Sequence, residues 1–150
     1  MARVSSREAH LGYWLRMVSN HVSHAFGQKV ADEDVTVAEW VVLRELLAQG
    51  ITTPSTIADK LRMTRGAISK LVDRLVAKDL VSRKSAKDDR RAQDIALTSK
   101  GRALVPRLAA LADENDKEFF GAISADERAT LDRILKKIIR QRDIENVPVD

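Results

Sequence analysis

The sequence predicts a mainly α fold of six helices, with one small β-hairpin set between the fourth and the fifth. Three observations carry that prediction. Apolar residues recur at i, i+3, i+4 and i+7 through most of the chain, the period of a helix that buries one face. A Ser or Thr placed to cap a helix precedes five of these stretches, at Thr36, Thr53, Thr64, Thr98 and Ser124. Only between residues 80 and 97 does the period change to alternation, on either side of a charged tip. A chain of 150 residues fits one domain with attached helical elements, and one of this size can bury about 70% of its unfolded surface without a metal or disulfide.

The first helix is expected over about Glu8–Val30, with Leu11, Trp14, Leu15, Val18, Val22, Ala25 and Phe26 along one stripe. Asp32, Glu33 and Asp34 break the stripe. Thr36 and Glu39 then form a capping box, in which the hydroxyl accepts from the third amide and the carboxylate reaches back. The second helix carries Trp40, Val41, Leu43, Leu46 and Leu47 and stops at Gly50, which tolerates the positive φ of a helix C-cap. Thr53 caps a short third helix, Pro54–Leu61, whose first residue is a proline that loses no hydrogen bond there. After the tight junction Arg62-Met63-Thr64, a fourth helix runs to about Lys78 with Ile68, Leu71, Val72, Leu75 and Val76 inward. Two helices so closely joined make a helix-turn-helix.

Leu80–Lys84 and Asp94–Leu97 alternate as two short strands, with Ser85–Gln93 as the connecting tip. Thr98 starts a long helix to about Phe120, which contains Pro106. Ser124 and Glu127 form a second capping box ahead of a last helix bearing Leu131, Ile134, Leu135, Ile138 and Ile139. Val147–Asp150 is expected to fray.

The net charge of +4 is unevenly spread. Residues 60–107 carry 14 Lys and Arg against five acidic residues, while both flanks are mildly acidic. A basic segment between acidic ends is the electrostatic footprint of a polyanionic partner. With no cysteine, disulfides, thiolate metal sites and thiol-based sensing are excluded. No apolar run reaches the roughly 18–20 residues of a membrane span, and the N-terminus lacks a signal-peptide pattern, so a soluble cytoplasmic protein is expected.

The basic segment coincides with the helix-turn-helix and hairpin. The face of the fourth helix opposite its apolar stripe presents Arg65, Gly66, Ser69, Lys70 and Asp73, with Arg74 alongside and Thr64 at the start. A helix fits the major groove N-terminus first, and Arg and Lys have the donors to read guanine O6 and N7. Ser69 can reach a base or a phosphate, and Gly66 removes bulk where the backbone would approach. The hairpin tip gathers Lys84, Lys87, Arg90 and Arg91, which suit the minor groove; Asp88 and Asp89 can hold the arginines in one geometry.

The run Thr64–Gly101 resembles the winged helix-turn-helix of the MarR family of bacterial transcription regulators. The matching features are Leu71-x-x-Arg74-Leu75, Leu80-Val81-x-Arg83, Asp89-Arg90-Arg91 and Leu97-Thr98-x-x-Gly101. The resemblance implies a homodimer of one MarR-like protomer, residues 1–150, gripping a pseudo-palindromic double-stranded operator. It divides the chain into a DNA-binding lobe over 36–98 and dimerisation helices over 8–30 and 99–145. The hairpin becomes a wing whose Arg91 enters the minor groove, steadied by Asp89. It also implies repression relieved by a small, commonly phenolic or aromatic, ligand held between the dimerisation helices and the DNA-binding lobe. No cofactor is implied.

For such a ligand, Trp14, Arg16, His21, Trp40 and Arg44 are the candidate residues, aromatic walls with cations for a carboxylate. The bland alternative makes the tryptophans core or interface anchors. His21-x-x-His24 is a possible metal pair without a third ligand at convincing spacing, and no metal site is expected. Two other functions compete. A nonspecific architectural DNA binder would use the same basic surface; an enzyme would need His21 or His24 as a base, and no triad, phosphate-binding glycine loop or metal signature accompanies them.

Overall fold

The structure, a computed structural model, describes residues 2–86 and 89–149, with the side chains of 86 and 89–92 left aside. A 3₁₀ turn at Arg7–Ala9 leads into α1 (Leu11–Ala31), which therefore begins at the first residue of its apolar stripe and not at the expected Glu8. Then follow α2 (Val37–Gln49), α3 (Pro54–Leu61), α4 (Arg65–Ala77), the hairpin β1 (Val81–Ala86) and β2 (Asp89–Leu97), α5 (Ser99–Phe120) and α6 (Ala125–Arg142).

Caps set most of these boundaries. Thr36–Glu39 and Ser124–Glu127 both close as reciprocal boxes. Thr53, Thr64 and Thr98 each accept from the amide three residues on, at 3.2, 3.1 and 3.0 Å. At the other ends α2 stops at Gly50 with φ 71°, and α3 stops at Arg62, which adopts a left-handed φ of 54°. Pro106 lies inside α5, where its missing amide leaves the carbonyl one turn back without its helical donor.

The core sits where α2, α3 and α4 meet the base of the hairpin and the first half of α5. Leu43, Leu46, Ile57, Ile68, Leu75, Ile95 and Leu108 are its largest fully buried apolar side chains. The hairpin is antiparallel, registered Val81↔Leu97 through Ser85↔Gln93, with an irregularity at Ser85/Ala86. Its ladder runs further than alternation alone suggested: Ser85–Gln93, expected as a connecting tip, belongs largely to the strands, because backbone pairing continues after the apolar pattern stops. Thr52 adds a rung to β2, exchanging backbone hydrogen bonds with Ile95 at 3.0 and 2.7 Å. That rung ties the start of α3 to the hairpin.

The junction of hairpin and α5 is tightly packed. The Thr98 hydroxyl donates to the Asp79 carbonyl at 2.6 Å while accepting from Gly101. A Cβ on Gly101 would stand 2.2 Å from the Leu80 carbonyl oxygen, so no other residue fits without moving one backbone off the other. The Leu97-Thr98-x-x-Gly101 pattern is thus a packing requirement.

Two regions remain apolar and uncovered. α6 has no buried residue, and Leu131, Ile134, Ile138 and Ile139 are exposed along it. Leu11, Leu15 and Val18 of α1 are likewise exposed. Among the described residues, no helix is long and apolar enough to cross a membrane.

Candidate nucleic-acid interface and effector cavity

α4 divides cleanly along its length. Ile68, Leu71, Val72 and Leu75 are buried, while Thr64, Arg65, Gly66, Ser69, Lys70, Asp73 and Arg74 are all exposed. The helix phase expected from the apolar period is the phase observed. Among the described residues, Arg65, Lys70 and Arg74 take part in no ion pair, and all three are exposed. Gly66 has nothing within 4 Å of where a Cβ would stand and does not adopt positive φ. Its lack of a side chain therefore serves nothing inside the protein, although glycine costs a helix about 1 kcal/mol relative to alanine.

Three contacts hold α4 in place. Thr64 caps it. Asp73 forms an ion pair with Arg83 of β1, which ties helix to hairpin and neutralises the one acid on the exposed face. At its C-terminal end Lys78 pairs with Glu39 at 3.0 Å and donates to the Asp34 carbonyl at 2.7 Å. Glu39 is only 1% exposed. Removing Lys78 would leave the buried Glu39 carboxyl without its cation, at a cost of about 3–5 kcal/mol, whereas Lys78 on its own could still reach water. The sequence offered no signal for the Lys78 contact, because Glu39 was already explained as a cap. The Asp73–Arg83 pair was equally hidden: both residues read as surface charges.

Lys84 is exposed on β1, beside this face in the chain's order. Lys87 lies outside the described residues, as do the side chains of Asp89, Arg90 and Arg91.

A second feature lies between α1, α2 and α5: an open cavity of about 840 Å³. Its apolar walls include Val22, Phe26, Val37, Trp40 and Phe120, and its charged lining includes the cations Arg44 and Lys60 and the acids Glu45 and Asp116. The Arg44 guanidinium stands 5.8 Å from the Trp40 ring centroid. Asn115, also on the wall, is 4% exposed; it donates to the Val22 carbonyl at 3.1 Å and accepts from Lys29 at 3.1 Å, joining α5 to α1.

Of the five candidate ligand residues, the structure brings Trp40 and Arg44 to this cavity and leaves Trp14, Arg16 and His21 off its wall. The reason is helix phase and position. The cavity takes Val22, Ser23 and Phe26 from the C-terminal half of α1, whereas Trp14 is half-exposed, donating to the Glu8 carbonyl at 2.9 Å and stacking edge-on with Tyr13. His21 and His24 are both exposed, and among the described residues no group of three His, Cys, Asp or Glu is placed to hold a metal. Phe120, Lys60 and Asn115 were missed because only the tertiary fold brings α3 and α5 to α2.

The family model described as "MarR family" matches residues 33–92, spanning α2 to the start of β2. Over that segment this chain is similar to MarR-family regulators. The multiple antibiotic resistance protein MarR of Escherichia coli is 29% identical over 130 residues, 86% of this chain and 90% of MarR. A mutant of that MarR solved with operator DNA superposes with a TM-score of 0.75 at 29% identity, covering 86% of this chain and 93% of that one. The transcriptional repressor NicR of Pseudomonas putida is 26% identical over 86% of this chain and 82% of its own. BpsR of Bordetella bronchiseptica, whose DNA binding is regulated by 6-hydroxynicotinic acid, gives a TM-score of 0.77 at 26% identity, covering 91% and 97%.

Proposed function

We propose that this chain is a MarR-family, sequence-specific, DNA-binding transcriptional repressor that works as a homodimer and is released by a small aromatic anion. The observation that carries the reading is the exposed face of α4. Arg65, Ser69, Lys70 and Arg74 stand on one side of a helix whose other side is buried and whose ends are tied down. Rigid placement of donors is what major-groove reading requires. Gly66, unneeded by the protein's own packing, leaves space for a phosphate or base edge at the helix N-terminus. The hairpin residues Lys87, Asp89, Arg90 and Arg91 take the wing role by family resemblance.

The uncovered faces of α1 and α6 support the homodimer. Apolar stripes on terminal helices are wet in one copy and dry in a symmetric pair. A pair also sets two recognition helices roughly 34 Å apart, one turn of duplex. The cavity supports the effector class: aromatic and aliphatic walls for a ring, Arg44 and Lys60 for a carboxylate or phenolate. Its place between α1, α2 and α5 lets a ligand favour a lobe arrangement unsuited to that spacing.

Selection of bound sequences from a random duplex pool tests this. A pseudo-palindrome should emerge, bound about a thousandfold more tightly than random duplex, with affinity falling steeply as salt rises. No enriched sequence, with tight salt-dependent binding to any duplex, would instead make the protein an architectural binder.

A further inference from the structure

The segment after α6 has no part in the function described so far, and it does not fray. α6 ends at Asp143, whose left-handed backbone (φ 51°, ψ 49°) lets the Ile144 amide donate back to the Ile139 carbonyl at 3.0 Å. This closure turns the chain off the helix axis in a fixed direction. Glu145 then pairs with Arg62 at 3.5 Å. Arg62 is the left-handed residue that ends α3, in the turn of the helix-turn-helix. Val147 packs half-buried against the core and, with Pro148, forms part of the cavity wall together with Trp40, Arg44 and Lys60.

The two contacts do different work. Both side chains of the Arg62–Glu145 pair are more than half exposed, so water screens it and it adds little binding. Val147 removes apolar surface from water and holds the segment down, while the ion pair decides where it lands. Both contacts are weak, and they form because the tether to α6 makes their formation intramolecular.

We propose that Glu145–Val149 is an intramolecular strap seated on the wall of the effector cavity, that an aromatic anion competes with it for that wall, and that its displacement removes Glu145 from the turn of the helix-turn-helix. The inference rests on reading that cavity as the effector site. A strap seated in most molecules lowers apparent ligand affinity by the fraction of molecules left open. It would also make the tail part of the signal, because one segment touches both the cavity and the turn that presents α4.

The absence of cysteine allows a direct test on the intact dimer. Val147→Cys introduces a single thiol, and Val4→Cys, at a position 93% exposed, is the control. With Ellman's reagent the Val147→Cys thiol should react several times more slowly than the control, and saturating 1-anilinonaphthalene-8-sulfonate should bring it close to the control rate. The same probe should bind about three- to tenfold more tightly to a chain ending at Asp143. Val147→Asp should tighten binding in the same direction while keeping the full chain, which separates strap loss from any effect of truncation on assembly. Equal thiol rates in the two variants, protection unchanged by the probe, or unchanged probe affinity in both the truncated chain and Val147→Asp would each overturn the strap. None of these measurements contains DNA, so a failure of operator selection would sink the repressor reading without deciding this one.

Discussion

α4 and α6 are both amphipathic helices with capped N-termini, and they treat their apolar faces in opposite ways. Every large apolar residue in the stripe Ile68, Leu71, Val72 and Leu75 is buried inside the same chain. In α6 the corresponding stripe, Leu131, Ile134, Ile138 and Ile139, stays 38–45% exposed. One helix is complete within the protomer and keeps its polar face exposed for the proposed duplex. The other leaves its apolar face uncovered, which is where the proposed second copy would pack. Periodicity finds both stripes equally well; only burial tells which one the chain itself satisfies.

Introducing charge on α6 should break this contrast most severely. Ile134→Lys with Ile138→Lys should yield monomers by sedimentation, and operator affinity should fall at least a hundredfold because the second half-site is lost. The monomer should keep its far-ultraviolet circular dichroism. On α4 the equivalent injury acts inward: Leu75→Ala should cost about 2–5 kcal/mol in urea unfolding, with no change in subunit association. Lys70→Ala touches only the polar face. It should leave unfolding unchanged and weaken operator binding by about 1–3 kcal/mol, with altered base preference at one position of each half-site.

Gly66→Ala sharpens the comparison further, because its two effects should have opposite signs. The new methyl meets nothing in the protein, so thermal stability should rise by up to about 1 kcal/mol. Operator affinity should nevertheless fall if the duplex approaches the helix start. A stabilised variant with unchanged affinity would place the DNA elsewhere on α4.

The smallest effect concerns the start of α6. Hydrogen bonds from the Ser124 backbone amide and hydroxyl hold the Glu127 carboxyl below its usual value of 4.5. A carboxyl with a depressed folded-state value stabilises above the unfolded value, and that contribution disappears as pH falls through the folded one. The wild-type cap should therefore weaken below about pH 4.5, and Glu127→Gln should flatten the acid slope of the melting temperature without moving its neutral-pH behaviour greatly.

Local chemistry explains what was legible in the sequence. Thr36, Thr53, Thr64, Thr98 and Ser124 each cap within three or four residues, so helix starts needed no tertiary information. The exposed face of α4 followed from a 3.6-residue period alone. What stayed hidden depends on residues far apart in the chain. Thr52 pairs with Ile95 as a single rung, too short to leave a pattern. Lys29 reaches Asn115, and Lys78 reaches Glu39, across separations that no spacing rule covers. The cavity was half legible: Trp40 and Arg44 were found by type and proximity in sequence, but Trp14 and Arg16 satisfied the same criteria while lying off its wall. The tail ran against expectation because a short, proline-containing terminus has no period, and Val147 is seated by tertiary packing alone.

The contact between Gly101 and the Leu80 carbonyl has a mechanical consequence. With no room between the backbones, the start of α5 and the base of the wing must turn as one piece. α5 continues for 22 residues, about 33 Å at the rise of an α-helix, and near its far end Asn115 is fastened to α1 beside the cavity. It is therefore a lever with its first turns fixed to the hairpin and one backbone hydrogen bond missing at Pro106. A tilt of about 5° in a rod of that length displaces one end by about 3 Å relative to the other, enough to pull a side chain out of hydrogen-bonding range of a base. A ligand would not have to reshape the DNA-binding lobe to dislodge it; a few degrees at the other end of one helix would do.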